Sequence, residues 1–128
     1  MRLCLFLCLA LLSCSDTDKF EVAELLDARD QSISAQDITA YSQLLLESYR
    51  TDGGGDVLQQ MQSIFLRFDE VNMRSRDREI RILSDTEAMC EQTYVLKVLA
   101  DGDWREIVQR EQLSFSRVND VWKISGGL

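Results

Sequence analysis

Four polar side chains share predicted sheet faces with apolar residues, and their types could support chemistry. Gln92 and Tyr94 fall in step with the apolar positions of one predicted strand, and Gln109 and Glu111 do the same in the next. Successive residues of a strand point to opposite faces, so these groups are expected to point inward. Polar groups on an inner face line a wet cavity or pair with each other. The alternative is that they lie at the rim of the sheet or that a β-bulge turns them outward.

Histidine is absent from the 128 residues, so the usual neutral-pH base and the commonest metal ligand are both missing. Acid–base chemistry would need a carboxylate or a tyrosine with a shifted pKa, and we predict no metal and no cofactor. Cys90 has no histidine to activate it and is predicted to be a buried hydrophobe. The acidic, glycine-rich segment 52–56 offers too few ligands for calcium and is predicted to be a turn with a helix cap.

A basic cluster lies in the first predicted strand, interleaved with Asp77 and Glu79. We predict that it forms a solvated strand partnered by neighbouring acids. Its members are Arg74, Arg76, Arg78 and Arg81.

Three helices are predicted to precede the strands. Apolar spacing indicates the first helix over about residues 19–33, and residues 34–37 fit a capping box that opens the second. The second continues at helical spacing to Tyr49, and the glycines of residues 53–55 must end it. Asp56 is predicted to cap the third helix, which carries an apolar stripe to Phe68.

Four strands are predicted after the helices, with an irregularity in the first at residues 76–78. Asp101 and Gly102 give the signal of a tight hairpin, and Asn119 and Asp120 mark another turn. Helices first and antiparallel strands after predict an α+β domain with the helices packed on one sheet face. The predicted strands cover residues 71–83, 87–99, 104–117 and 121–125.

Trp122, Lys123 and Ile124 form a Trp-x-Ile strand after a short turn, residues 110–115 form the strand before it, and Tyr49 is followed by Arg50. In these features the chain resembles the nuclear transport factor 2-like superfamily over about residues 19–128. The resemblance implies a cone-shaped fold, in which a curved antiparallel sheet wraps around the helices. It also implies a cavity at the open end, and the residues expected to line it are Gln92, Tyr94, Gln109, Glu111 and Trp122. Members include isomerases, dehydratases, polyketide cyclases and many domains that catalyse nothing, so function must be argued from the site.

The first fourteen residues predict export. An apolar run over residues 3–12 follows Arg2 and is too short to span a membrane. The run ends at Ser13 and Cys14, which resembles the bacterial lipobox, where a small residue precedes a cysteine that is acylated and becomes the mature N-terminus. Leu12 departs from that pattern, and the alternative is an ordinary cleaved signal. We predict a signal peptide over residues 1–13, a lipidated tether over 14–18 and one domain over 19–128.

These observations predict a lipid-anchored protein on the periplasmic face of a bacterial cell envelope, with the outer membrane favoured over the inner because Ser15 follows the cysteine. The net charge of −8 disfavours nucleic acid as a partner. The predicted partners are the membrane through lipid at Cys14, a small apolar ligand or a protein, and a second copy of the chain. We predict a non-catalytic binding or accessory domain. The alternative is a small isomerase, dehydratase or cyclase with Glu111 as base and Tyr94 or Tyr49 stabilising the oxyanion.

Overall fold

The computed structural model describes residues 9–52 and 54–128, with side chains described for residues 15–51 and 57–128. Residues 1–8 of the predicted signal peptide and the side chain of Cys14 lie outside these ranges. Four helices and four strands follow one another along the described residues. They are α1 (Leu9–Ser34), α2 (Ile38–Gln43), α3 (Glu47–Asp52), α4 (Gly54–Arg67), β1 (Glu70–Ile82), β2 (Glu87–Ala100), β3 (Asp103–Val118) and β4 (Val121–Gly126).

Helix α1 begins at Leu9, earlier than the start near Lys19 that its apolar spacing predicts, and it includes residues 14–18. Asp18 is already packed in the fold, because its carboxylate lies 3.5 Å from the Arg117 guanidinium. One face of the helix is buried after that point, as its i, i+4 spacing dictates. The fully buried apolar residues of this face are Val22, Leu26 and Ile33.

The second predicted helix is two short helices, α2 and α3, because the chain leaves the helical path at residues 44–46. There the backbone pairs with β4. The Leu46 N–H donates to the Ile124 carbonyl (2.8 Å), and the Ile124 N–H donates to the Leu44 carbonyl (2.9 Å). The prediction of one continuous helix is therefore wrong, because the Leu44 carbonyl and the Leu46 N–H bond to β4 instead of to the helix.

The predicted capping box is corrected in the same region. Asp37 is the N-cap of α2, and its carboxylate accepts from the Ala40 N–H at 3.0 Å. Ser34 instead accepts from the Met73 N–H at 2.9 Å. Helix α3 ends at Asp52 and α4 begins at Gly54, and residue 53 lies outside the described residues. The prediction of a turn over residues 52–56 is therefore wrong for residues 54–56, which are helical. Asp56 lies inside α4 rather than at its cap.

The four strands form one curved antiparallel sheet, as predicted, and their order in it is β1-β2-β3-β4. Asp101 and Gly102 both have positive φ (54° and 80°), and so do Asn119 and Asp120 (52° and 62°). Two consecutive positive φ values are what a type I′ hairpin turn requires. The irregularity predicted in the first strand is also confirmed. The register of β1 against β2 shifts between Arg76 and Glu79.

The inner face of the sheet packs on the helices and forms the core, in agreement with the predicted alternation. Its most buried members are Val71, Met73, Ala88, Cys90, Gln92, Val98, Leu113, Phe115, Trp122 and Ile124. The helices cover only part of this face. Residues 103–110 of β3 extend beyond them, and Ile107 stays about half exposed although it lies opposite Leu96 on the inner face. The uncovered stretch forms one wall at the open end of the cone.

No helix among the described residues is both long and apolar enough to cross a membrane.

Candidate functional site

A cavity of about 500 Å³ opens between the uncovered part of the sheet and helices α1, α2 and α4. Its size falls within the range of about 300–1,000 Å³ that is usual for small-molecule sites. The apolar residues of its walls are Ile33, Val57, Met61, Ile64, Met73, Leu96 and Leu128. Its polar lining residues are Arg29, Tyr41, Gln60, Tyr94, Gln109, Arg110, Glu111 and Gln112. Apolar walls with convergent polar groups are the usual form of a binding site.

A buried ion pair lies in the wall of this cavity. Arg29 of α1 donates to both carboxylate oxygens of Glu111 in β3, from Nη1 to Oε2 at 2.8 Å and from Nη2 to Oε1 at 3.1 Å. The exposed fractions of the two side chains are only 6% and 9%. Such a two-pronged pair is stronger and more directional than a single hydrogen bond. Burial by itself lowers the pKa of the Arg29 guanidinium, but its hydrogen bonds and proximity to Glu111 raise that pKa above its ordinary value.

Gln92 extends this pair into a chain of polar contacts. Its Nε2 donates to Glu111 Oε2 at 2.9 Å, and its Oε1 accepts from Arg78 Nε at 3.0 Å. Arg78 in turn donates to the Asp27 carboxylate at 3.0 Å. Gln92 is fully buried, so the prediction that it points inward is confirmed. The polar groups of the inner face therefore pair with each other at the same place where they line a cavity.

The bulge in β1 places Arg78 in this series of polar contacts. Asp77 adopts a φ of +53°, and the extra residue turns Arg78 toward the helices. The prediction that all four arginines are solvated is therefore wrong for Arg78, which is mostly buried. Arg76 and Arg81 are exposed as predicted and pair with neighbouring acids.

Two tyrosines complete the polar part of the cavity. The Tyr94 hydroxyl donates to Gln109 Oε1 near the exposed part of the sheet. Burial raises the pKa of Tyr94, and the Glu111 carboxylate raises it further. Tyr41 lies deeper, and burial raises its pKa while the neighbouring Arg29 opposes that change. Both phenols therefore stay neutral near pH 7 and can donate a hydrogen bond.

Three of the five residues predicted to line the cavity do so, namely Tyr94, Gln109 and Glu111. Gln92 lies directly behind Glu111. The structure places Trp122 at the opposite end of the sheet, beside the β3–β4 turn, where its ring lies under the Arg117 guanidinium at 6.0 Å. Tyr49 packs partly buried against the core and is not part of the cavity lining.

Arg29 and Tyr41 line the candidate site but are not predicted to do so from the sequence. A signal for Arg29 exists, because it stands with Val22, Leu26 and Ile33 on the apolar face of α1. A charged residue on such a face requires a buried partner. Tyr41 gives no comparable signal, since an aromatic residue on an apolar helix face is ordinary core.

The acidic side chains and Cys90 are the remaining candidates from the sequence. Among the described residues, no group of three or more acidic or cysteine side chains is placed to hold a metal ion. Cys90 is buried, and burial raises the pKa of its thiol while Arg78 opposes the change. The thiol therefore stays protonated at neutral pH, which makes it a poor nucleophile.

The ion pair limits what Glu111 can do. A carboxylate accepts about four hydrogen bonds, and Arg29 and Gln92 already supply three. One acceptor position on Glu111 Oε1 remains. Arg29 Nε is a buried donor without a hydrogen-bond partner in the described part of the chain. The geometry suits fixed electrostatic recognition better than proton transfer.

Comparisons with known proteins were made by sequence and by structure. No family profile and no curated protein sequence matches this chain. Solved structures do. A nuclear transport factor 2-like superfamily protein from Salmonella enterica serovar Typhimurium aligns over 85% of this chain and 87% of its own, with a TM-score of 0.75 and 18% identity.

Two further structures show the same likeness. A protein from Streptomyces avermitilis, provisionally identified as a dehydratase of this family, covers 86% of this chain and 94% of its own at 19% identity and a TM-score of 0.72. A nuclear transport factor 2-like protein with a cystatin-like fold from Novosphingobium aromaticivorans covers 91% and 82% at 16% identity and a TM-score of 0.68. With its curved four-stranded sheet closing on the helices, the chain has the nuclear transport factor 2-like fold.

Proposed function

We propose that this protein is a lipid-anchored protein of the bacterial cell envelope whose domain binds a small neutral ligand with an apolar body and one polar group. The observation that carries the ligand-binding half is the Arg29–Glu111 pair in the wall of an apolar cavity. The two charges of the pair cancel each other, so the pair offers a charged ligand no free countercharge. A hydroxyl group can donate to the remaining acceptor position of Glu111 or to the Tyr94 oxygen, whose own proton is donated to Gln109.

The same pair supports a non-catalytic role. A general base needs a free lone pair directed at the proton that it removes, and most of those of Glu111 are engaged by Arg29 and Gln92. The alternative, an enzyme of dehydratase type, is supported by provisional assignments among similar structures. In that alternative Glu111 would be the base and Tyr94 would stabilise the oxyanion.

The ligand proposal is tested with two compounds that differ in charge. 2-Naphthol is neutral at pH 7 and carries one hydroxyl on an apolar body, whereas 2-naphthoate presents a carboxylate on the same ring. Equilibrium dialysis against the purified protein in lipid nanodiscs, with empty nanodiscs subtracted, should show binding of naphthol at least tenfold tighter than of naphthoate. Tighter binding of naphthoate, or binding of neither compound, would overturn the proposal.

Two substitutions on helix α4 test whether naphthol binds inside the cavity. Ile64→Trp fills the cavity and should abolish naphthol binding, whereas Leu66→Trp makes the same change at an exposed position and should leave it intact. Equal binding by both variants would place the naphthol elsewhere on the protein.

The anchoring half of the proposal rests on residues 3–14 and is tested separately. Cys14→Ala should abolish incorporation of labelled palmitate and move the protein out of the membrane fraction. Unchanged palmitate incorporation in that variant would contradict it.

A further inference from the structure

The end of the domain nearest Asp18 carries exposed apolar residues on α1 and beside two turns. Eight large hydrophobic side chains are exposed in the described part of the chain, and four of them lie at this end. They are Phe20 (64% exposed), Leu83 (58%), Val118 (48%) and Val121 (50%). Scattered single residues of this kind are common on surfaces, but these four lie on α1 or beside the β1–β2 and β3–β4 turns, which are joined to one another.

Backbone and side-chain contacts bring these segments together. The Arg117 N–H donates to the Thr86 carbonyl at 2.9 Å, which joins the β1–β2 turn to the end of β3. The guanidinium of Arg117 lies 3.5 Å from the carboxylate of Asp18, which joins the same point to α1. We call this part of the molecule the anchor end and define it by Phe20, Leu83, Val118 and Val121.

The proposed lipid lies very close to the anchor end. Cys14 and Asp18 are four residues apart within α1, and at 1.5 Å per residue a helix covers that interval in about 6 Å. Asp18 is itself fixed to the sheet through Arg117. An acyl chain on Cys14 would therefore hold the domain by a short helical segment, and the lipid surface would meet the anchor end.

We infer that the anchor end rests on the bilayer when Cys14 is acylated, with the two turn tips at the lipid surface, so that the ligand cavity opens on the side away from the membrane. This inference rests on the proposed lipid anchoring. Arg29 follows Asp18 by eleven residues of the same helix, so the cavity lies about 16 Å farther from the lipid. Its ligand would then enter from the aqueous phase.

Electrostatic attraction to anionic lipid does not drive this contact. Exposed acids such as Asp16, Asp85 and Asp120 surround the anchor end, and Lys19 is the nearest exposed cation on α1. Apolar residues and the acyl chain supply the affinity, which burial of apolar area can provide without lipid charge. We therefore expect the same orientation on phosphatidylcholine with or without phosphatidylglycerol.

The orientation is tested on the full acylated protein in vesicles of phosphatidylcholine that contain lipid with brominated acyl chains. Val121→Cys and Trp104→Cys are labelled in turn with an environment-sensitive dye. The two parent side chains are about equally exposed (50% and 52%) and lie at opposite ends of the sheet. Cys90 is buried, so the parent protein serves as the unlabelled control. Bromine should quench the dye at position 121 at least twofold more than the dye at position 104.

A flexible insertion provides the matched control. Twenty Gly/Ser residues placed after Ser15 give a tether with an average span of about 25 Å, and the difference in quenching should decrease while palmitate labelling persists. Equal quenching at both positions in the uninserted, acylated protein would overturn the orientation alone. A protein that neither incorporates palmitate nor floats with vesicles would overturn the anchoring proposal and this inference with it.

Discussion

At the scale of single residues, the Arg29–Glu111 pair dominates the candidate site. Two opposite charges with exposed fractions below a tenth occupy the wall of an apolar cavity, and each satisfies the other. A buried pair is weak support for stability, but removing one partner leaves a costly lone charge. The pair therefore holds α1 against β3 and sets the polarity of the cavity at the same time.

Substitution of Arg29 tests this dependence. Arg29→Met should lower the free energy of unfolding by about 3–5 kcal/mol, because it leaves the Glu111 carboxylate buried without its countercharge. The double variant Arg29→Met/Glu111→Leu should recover part of that loss in urea unfolding. A double variant that loses the sum of the two single effects would show that the residues do not act as a pair.

Asp30, next to Arg29 in α1, gives a test by pH. Burial raises the pKa of this carboxyl above its ordinary value of 3.8, while the Ser75 hydroxyl opposes the change. A raised folded-state pKa means that Asp30 favours folding most below pH 3.8 and that this contribution is lost as the pH rises through the folded pKa. Asp30→Asn should therefore be more stable than the parent at pH 7, and the difference should vanish in acid. A parent that is the more stable of the two at neutral pH would contradict the shift.

At the scale of elements, the sheet could be predicted from the sequence and the helices only in part. Alternation and the turn signals at Asp101 and Asn119 gave all four strands, since both are local properties of the chain. Residues 44–46 are three leucines that continue a helical pattern, and only their bridge to Ile124 reveals the break. The inward turn of Arg78 depends likewise on the bulge and on partners in other elements, none of which is adjacent in sequence.

The end of β4 supports a prediction with an internal control. Gly127 has a φ of +91°, and a Cβ built there would lie 2.1 Å from the Gln112 carbonyl oxygen. At Gly126 the nearest atom would be Ser114 Cβ at an ordinary 3.7 Å. Gly127→Ala should therefore cost about 1–3 kcal/mol of unfolding free energy or detach the last two residues from the cavity wall. Gly126→Ala should change stability by less than about 0.5 kcal/mol, and equal effects of the two variants would argue against this close approach.

At the scale of the whole molecule, we propose different roles for the two ends of the domain. One end meets the proposed lipid anchor, and the other opens into a cavity of about 500 Å³. The fold itself hosts many functions, so it does not choose between a binding protein and an enzyme. The cavity wall favours a binding protein over an enzyme, because its carboxylate is held in an ion pair and its phenols are neutral donors.

Native mass spectrometry of the protein purified from the cells that produce it tests the central claim most directly. The parent protein and Leu66→Trp should carry an additional small neutral mass that is released on unfolding, and Ile64→Trp should carry none, because its side chain occupies the cavity. A parent protein that carries no added mass, or an Ile64→Trp variant that carries the same mass as the parent, would contradict the claim that the cavity binds a ligand.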